Sequence, residues 1–198
     1  MTRDAWAHLA DRYEQAYGPK TNSPCWRRAV ALAESVDGPV LDLGCGPGYE
    51  LALFRQGVGI DRSPGMLAAA RRRAPQAHLV RCDMRHLPFG RESFAGAFSC
   101  LALIHLKKAA LAATLAQVRG MLRPGAPLVA VFFAGTGERV TGFSPLDGSA
   151  FAQYAFYESA ELRALVEQAG FSAVSIEDDI LVEPTNPAIP CLCVSASA

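Results

Sequence analysis

Residues 41–50 read LDLGCGPGYE. An apolar run carrying one carboxylate, Asp42, opens into three glycines at alternate positions, Gly44, Gly46 and Gly48. Glycine suits a turn this tight and lets backbone come close to a ligand. If PVLDLG (39–44) is the first and central strand of a parallel sheet, the loop lies at its carboxyl end. Open α/β sheets bind ligands there, where strand order reverses. Amides beside a helix N-terminus would favour a negative or hydroxylated group. The spacing then separates the ligands. A dinucleotide fingerprint, Gly-x-Gly-x-x-Gly, needs a third glycine at position 49, which is Tyr49; a Walker loop needs a following Gly-Lys-Ser/Thr, which is missing.

The rest of the chain repeats strand-turn-helix units. GVGID (57–61) is a second strand ending in Asp61, and Ser63-Pro64 opens the helix GMLAAARRR (65–73). AHLVRCD (77–83) is a third strand ending at Asp83-Met84, and SFAGAFSCLAL (93–103) holds a fourth. A helix over 106–122 leads to the fifth strand, APLVAVFFA (126–134), and a further helix over 159–170 to the last two, FSAVSIED (171–178) and IPCLCVSAS (189–197). A short helix is expected from Tyr49 to Gln56. Two N-terminal helices precede these units; Gly18-Pro19 stops the first and Ser23-Pro24 starts the second. The expectation is one α/β domain over 1–198: a Rossmann-like, seven-stranded, mostly parallel sheet with helices on both faces, its last strand antiparallel. Residues 1–36 form a helical N-terminal lid. The segment 135–157 is too long for a plain connection and reads as a substrate-covering insertion.

The strand ends describe the ligand. Asp61 is placed to accept both hydroxyls of a ribose. Asp83 is placed to accept an adenine amino group, with the Met84 amide meeting a ring nitrogen and Met66 covering the ring. A nucleoside with a short zwitterionic tail and no pyrophosphate fits. For Asp61 and Asp83 the plainer alternative is helix capping; for Asp42 it is satisfying loop amides, against a water-mediated ligand contact.

The segments VLDLGCGPG (40–48), GIDRSPGML (59–67), RCDMRHLPF (81–89), FAGAFSCLALIHL (94–106), MLRPGAPLVAVFF (121–133) and YAFYESAELRALVEQAGF (154–171) occur in order. The set resembles the class I S-adenosylmethionine-dependent methyltransferases, the small UbiE-like group (methyltransferase type 11-like) in particular, from about residue 36 onward. The resemblance implies S-adenosyl-L-methionine as cofactor and S-adenosyl-L-homocysteine as product. It places the methionine end on Gly44, Gly46 and Gly48 with Asp42 nearby, the ribose on Asp61, and the adenine on Asp83, with Arg62, Met66, Met84 and Ser99 completing the cofactor set. RPGAP (123–127) lacks the second glycine often seen before the fifth strand, which affects only that turn.

The acceptor is narrowed by what is missing. No Asn/Asp-Pro-Pro-Tyr/Phe follows the fourth strand, where Ser99-Cys100-Leu101-Ala102 stands instead, and no glutamate pair lies between Phe94 and Lys108. The 19 basic and 19 acidic residues balance, which disfavours a nucleic-acid partner. A small-molecule acceptor remains, with O, N or C as the methylated atom. His105 is the candidate general base, or else a loop organiser. Tyr13, Tyr17, Tyr154 and Tyr157 are candidate substrate contacts; the cluster Phe151, Tyr154, Phe156 and Tyr157 is either core or pocket wall. Arg71, Arg72 and Arg73 end a helix whose dipole favours cations there, so a solvated face outweighs a phosphate patch. The six cysteines show no metal-knuckle spacing, so no metal is expected and reduced structural thiols are. The N-terminus lacks a signal-peptide core and no apolar run is of membrane-spanning length, giving the expectation of a cytoplasmic protein without a membrane partner. Two rivals stay open: a protein that binds S-adenosylmethionine without transferring its methyl group, and a nicotinamide-dependent oxidoreductase.

Overall fold

The computed structural model describes residues 23–142, 151–182 and 188–198. The first expected helix, with Tyr13 and Tyr17, lies outside the described residues, as does the middle of the 135–157 insertion. The elements in order are α1 (Pro24–Ser35), β1 (Val40–Leu43), β2 (Gly57–Asp61), α2 (Pro64–Arg73), β3 (His78–Arg81), β4 (Gly96–Cys100), α3 (Lys108–Met121), β5 (Pro127–Ala134), β6 (Glu138–Gly142), β7 (Phe151–Tyr157), α4 (Ser159–Gln168), β8 (Ser172–Leu181) and β9 (Ile189–Ser197).

Strands β3, β2, β1, β4 and β5 run parallel and side by side in that order. β9 then pairs antiparallel with β5 from Pro127↔Ser197 to Phe133↔Cys191, and β8 pairs antiparallel with β9. β1 is central and wholly buried, as a continuous apolar strand covered on both faces should be. Alternation along β5 shows the two layers. Leu128, Ala130 and Phe132 join Leu111, Leu115 and Val118 of α3 and Leu162 and Val166 of α4 on one face. Val129 and Val131 join Cys25, Ala29 and Leu32 of α1 and Ala70 of α2 on the other.

Local chemistry starts the helices as the sequence predicts. Ser23 Oγ accepts the Trp26 amide at 3.1 Å and Ser63 Oγ accepts the Met66 amide at 3.3 Å, each with proline at the first helical position. α1 is tied across to β8 by Arg28–Glu177 at 2.9 Å and Arg27–Asp179 at 3.3 Å.

Three expectations are corrected. The seven expected strands are all present, and among the described residues the sheet has nine, because the insertion contributes the hairpin β6–β7, which joins the carboxyl end of β5 through Phe133↔Phe156 and Ala134↔Tyr157. The helix expected over Tyr49–Gln56 is only a 3-10 turn at Leu51–Leu53. Residues 49–56 wound as a helix would span about 12 Å, whereas the five residues of β2 span roughly 16 Å. The chain must return that whole length to start β2, so it unwinds, and Phe54 is extended (ψ 119°). Finally, Cys25 and Cys100 are paired as a disulfide, their Cα atoms 5.8 Å apart, while Cys45, Cys82, Cys191 and Cys193 form no disulfide. Residues 75 apart in sequence meet because α1 packs over the end of β4. Among the described residues no helix is long and apolar enough to cross a membrane.

Candidate functional site

The site is assembled from the carboxyl ends of β1, β2, β3 and β4. The glycine loop is left-handed at Gly44 (φ 69°), Gly46 (φ 50°) and Gly48 (φ 82°). Gly44 is required sterically: a Cβ there would stand 2.3 Å from the Ala102 Cβ, on the segment that follows β4. Gly48 is pressed by α2, with Ala70 3.1 Å from where its Cβ would stand. A Cβ added at Gly46 would face open space, with no heavy atom beyond its chain neighbours within 4 Å. The loop is thus pinned at both ends and open in the middle.

Asp61 couples this loop to β2. Its Oδ2 accepts the Gly46 amide at 3.0 Å and its Oδ1 accepts the Ser63 amide at 2.8 Å. A carboxylate oxygen can accept more than one donor, and a vicinal diol presents two. One strand over, Asp83 is gripped by Arg85, whose Nε donates to Oδ1 at 3.0 Å and whose Nη2 donates to Oδ2 at 2.6 Å. The Arg85 amide adds a third bond to Oδ1 at 3.0 Å, and Arg62 Nη1 lies 3.9 Å from Oδ2. The Arg85 hydrogen bond is the main reason the Asp83 carboxyl is held down at about 2. Asp83 is therefore a fixed acceptor at every physiological pH. The Met84 side chain reaches back over the glycine loop, its Cε 3.5 Å from where a Gly44 Cβ would stand.

Beneath the loop, burial pushes Asp42 well above the usual carboxylate range, and the neighbouring charges of Glu50 and Asp61 push it further. Burial also raises Glu50. Glu50 had no motif to mark it; only the fold brings it to Asp42. A cationic group at this corner would relieve the crowding of carboxylates.

Not every expected contact has a surface to offer. Ser99 is fully buried and donates its hydroxyl to the Leu43 carbonyl at 3.1 Å, tying β4 to β1, so its side chain is structural. Met66 is 2% exposed, and a bound ring would reach it only after its side chain moved. Tyr157 is also fully buried, its ring edge-on to Phe132 and under the Lys108 ammonium. Tyr157 is core; burial moves its hydroxyl further from ionisation.

The second half of the site lies where β4 ends. Leu101 is left-handed (φ 51°), a costly conformation for a bulky residue, and it turns the chain into the 3-10 turn Leu103–His105. His105 Nδ1 is 2.9 Å from the carbonyl oxygen of Gln153 on β7. A carbonyl only accepts, so Nδ1 carries the proton and Nε2 the lone pair of the neutral ring. Burial lowers the His105 pKa and keeps that ring neutral. Tyr154 packs on it, with ring centroids 4.9 Å apart, and Phe133 packs on Tyr154 at 6.0 Å. Phe156 stacks on Phe133 at 5.8 Å under the guanidinium of Arg139. Of the aromatic cluster, Tyr154 and Phe156 adjoin His105 and Phe133; the side chain of Phe151 lies outside the described part of the chain.

Comparison with known proteins places the fold in a family. A family described as "Methyltransferase domain" matches residues 40–125, which run from β1 to the turn before β5. The chain is 31% identical over 166 residues to O-methyltransferase cnsE of Penicillium expansum, covering 75% of this chain but only 57% of that protein. It is 30% identical over 184 residues to a malonyl-[acyl-carrier protein] O-methyltransferase of Dechloromonas aromatica, covering 88% of this chain and 67% of the relative. Among solved structures, the fold superposes with TM-score 0.69 on 1,6-didemethyltoxoflavin-N1-methyltransferase of Burkholderia thailandensis, crystallised with that substrate and S-adenosylhomocysteine. The identity there is 22%, over 97% of this chain and 86% of the other. Glycine loop, strand order and relatives agree: the chain belongs to the class I S-adenosylmethionine-dependent methyltransferases.

Proposed function

We propose that this chain transfers the methyl group of S-adenosylmethionine to a small, largely apolar molecule bound between the hairpin β6–β7 and the carboxyl end of β4. The observation that carries the reading is the His105–Gln153 hydrogen bond, set in the aromatic wall of Tyr154, Phe133 and Phe156. It points the basic nitrogen of a neutral imidazole away from the hairpin backbone, as an oriented base requires.

The donor set fits the cofactor. The open glycine loop takes the amino-acid end, the Asp42–Glu50 corner complements its ammonium, Asp61 accepts the ribose hydroxyls, and Asp83 accepts the adenine amino group. The bound sulfonium supplies an already activated methyl group, so the protein's part is alignment, exclusion of water and proton removal. His105 Nε2 takes the proton of an acceptor hydroxyl, or of an acidic N–H or C–H, as that atom forms its new bond to carbon. The hairpin wall holds the acceptor in line.

The test is transfer of labelled methyl from S-adenosylmethionine into three fractions: a small-molecule extract, bulk tRNA, and protein. Label should enter the small-molecule fraction. Label confined to tRNA or protein would replace the acceptor class, and binding without transfer to any fraction would favour the cofactor-binding rival.

The Asp42–Glu50 corner makes a second expectation. Both carboxyls titrate above their usual range near 4, and their ionised forms attract the ammonium of the cofactor. S-Adenosylhomocysteine affinity should therefore rise as pH is raised through the interval above that range, with proton release on binding. Calorimetry in two buffers of different ionisation enthalpy measures both; affinity flat over this interval with no released proton would remove the corner from the site.

A further inference from the structure

The three arginines that end α2 are not equivalent, and one of them is not part of a solvated face. Arg71 donates to the Ala77 carbonyl at 3.3 Å and Arg72 to the Ala68 carbonyl at 3.4 Å, both from exposed positions. Arg73 turns the other way. Its Nη1 donates to the Pro47 carbonyl at 2.8 Å, and its guanidinium stands 4.0 Å from the centroid of the Tyr49 ring. Pro47 and Tyr49 flank Gly48, which itself rests on Ala70 of the same helix. α2 therefore grips three consecutive residues of the glycine loop.

The first half of that loop is held from β2, by the Cys45 amide on the Ile60 carbonyl at 2.9 Å and the Gly46 amide on Asp61. The second half would ordinarily lead into a crossover helix whose first turn fixes it. Here only the three-residue turn Leu51–Leu53 follows, tied to the loop by the Ala52 amide on the Gly48 carbonyl at 3.2 Å, while the Gly48 amide reaches back to the Cys45 carbonyl at 2.9 Å. We infer that Arg73 fixes the second half of the loop in place of that helix. It is a positioning residue for the amino-acid end of the cofactor, acting through Pro47 and Tyr49 without touching the cofactor. The inference rests on the reading that the glycine loop holds the methionine end.

The test uses two ligands that differ only at that end. S-Adenosylhomocysteine carries the amino acid; 5′-methylthioadenosine is the same nucleoside thioether without it. By calorimetry on the full chain, Arg73→Ala should weaken S-adenosylhomocysteine about tenfold, from the loss of one hydrogen bond and one cation–π contact. It should change 5′-methylthioadenosine by less than about twofold. Arg73→Lys, which can still donate to the Pro47 carbonyl, should recover part of the loss and stands in should the alanine variant fold poorly. Equal losses for both ligands would overturn the inference, showing a general structural role, while leaving the cofactor site intact. No loss of S-adenosylhomocysteine binding would overturn it too. If the unaltered chain bound both ligands equally well, the loop would not hold the amino-acid end and the underlying reading would fall with it.

Discussion

Asp61→Ala should weaken S-adenosylhomocysteine binding by at least about a hundredfold. A charged acceptor contributes about 1.5–3 kcal/mol per hydrogen bond, so two ribose hydroxyls account for about 3 kcal/mol at the lower end. The same carboxylate also accepts the Gly46 and Ser63 amides, so its removal loosens the glycine loop from β2 as well. The melting temperature of the free protein should fall modestly for that second reason, and circular dichroism should report a retained fold. Asp61→Asn keeps one oxygen for an amide but loses the charge, and its affinity should lie between. A dissociation constant unchanged by Asp61→Ala would refute the ribose assignment outright.

His105→Ala should lower turnover roughly 10²–10⁴-fold, with cofactor affinity changed by less than about twofold. The pH profile supplies the stricter check. Burial lowers the His105 pKa below the ordinary imidazole value near 6.5. The native rate should hold through neutrality and fall only as pH drops through that lowered value, where the base becomes protonated. The variant should lose this acid limb. A variant as active as the native chain would mean an acceptor whose own lone pair suffices, so that alignment alone carries catalysis. A variant that weakens both ligands while keeping the acid limb would make His105 an organiser of the hairpin.

The parts of this site readable from the sequence are those that adjoin a single chain turn. Gly44–Gly48, Asp61 and Asp83 each sit within a residue or two of a strand end, so locating the strands locates them. Ser99 also sits at a strand end, but strand position does not reveal that its side chain is buried with its hydroxyl on the Leu43 carbonyl. The hairpin β6–β7 is hidden because β6, ERVTG, is short and polar and finds its pairing in a partner nine residues beyond its end. The missing crossover helix is a matter of length: residues 49–56 have the apolar spacing of a helix but too little rise to return to the start of β2. Glu50 and Arg85 carry no sequence signal, and Arg73 only that of a basic helix end facing solvent. Their roles depend on which neighbour the fold presents, Asp42, the Pro47 carbonyl and Asp83 respectively. The same holds for Cys25 and Cys100, whose pairing depends on α1 crossing the end of β4.

The most direct measurement of the whole account is a crystal structure of the chain with S-adenosylhomocysteine bound. Both ribose hydroxyls should lie within hydrogen-bond reach, about 2.6–3.2 Å, of the Asp61 carboxylate, with the adenine amino group on Asp83 and the amino-acid end against Gly44–Gly48. The sulfur should face His105. A cofactor seated with its adenine on the glycine loop, or with its sulfur turned away from His105, would contradict the account.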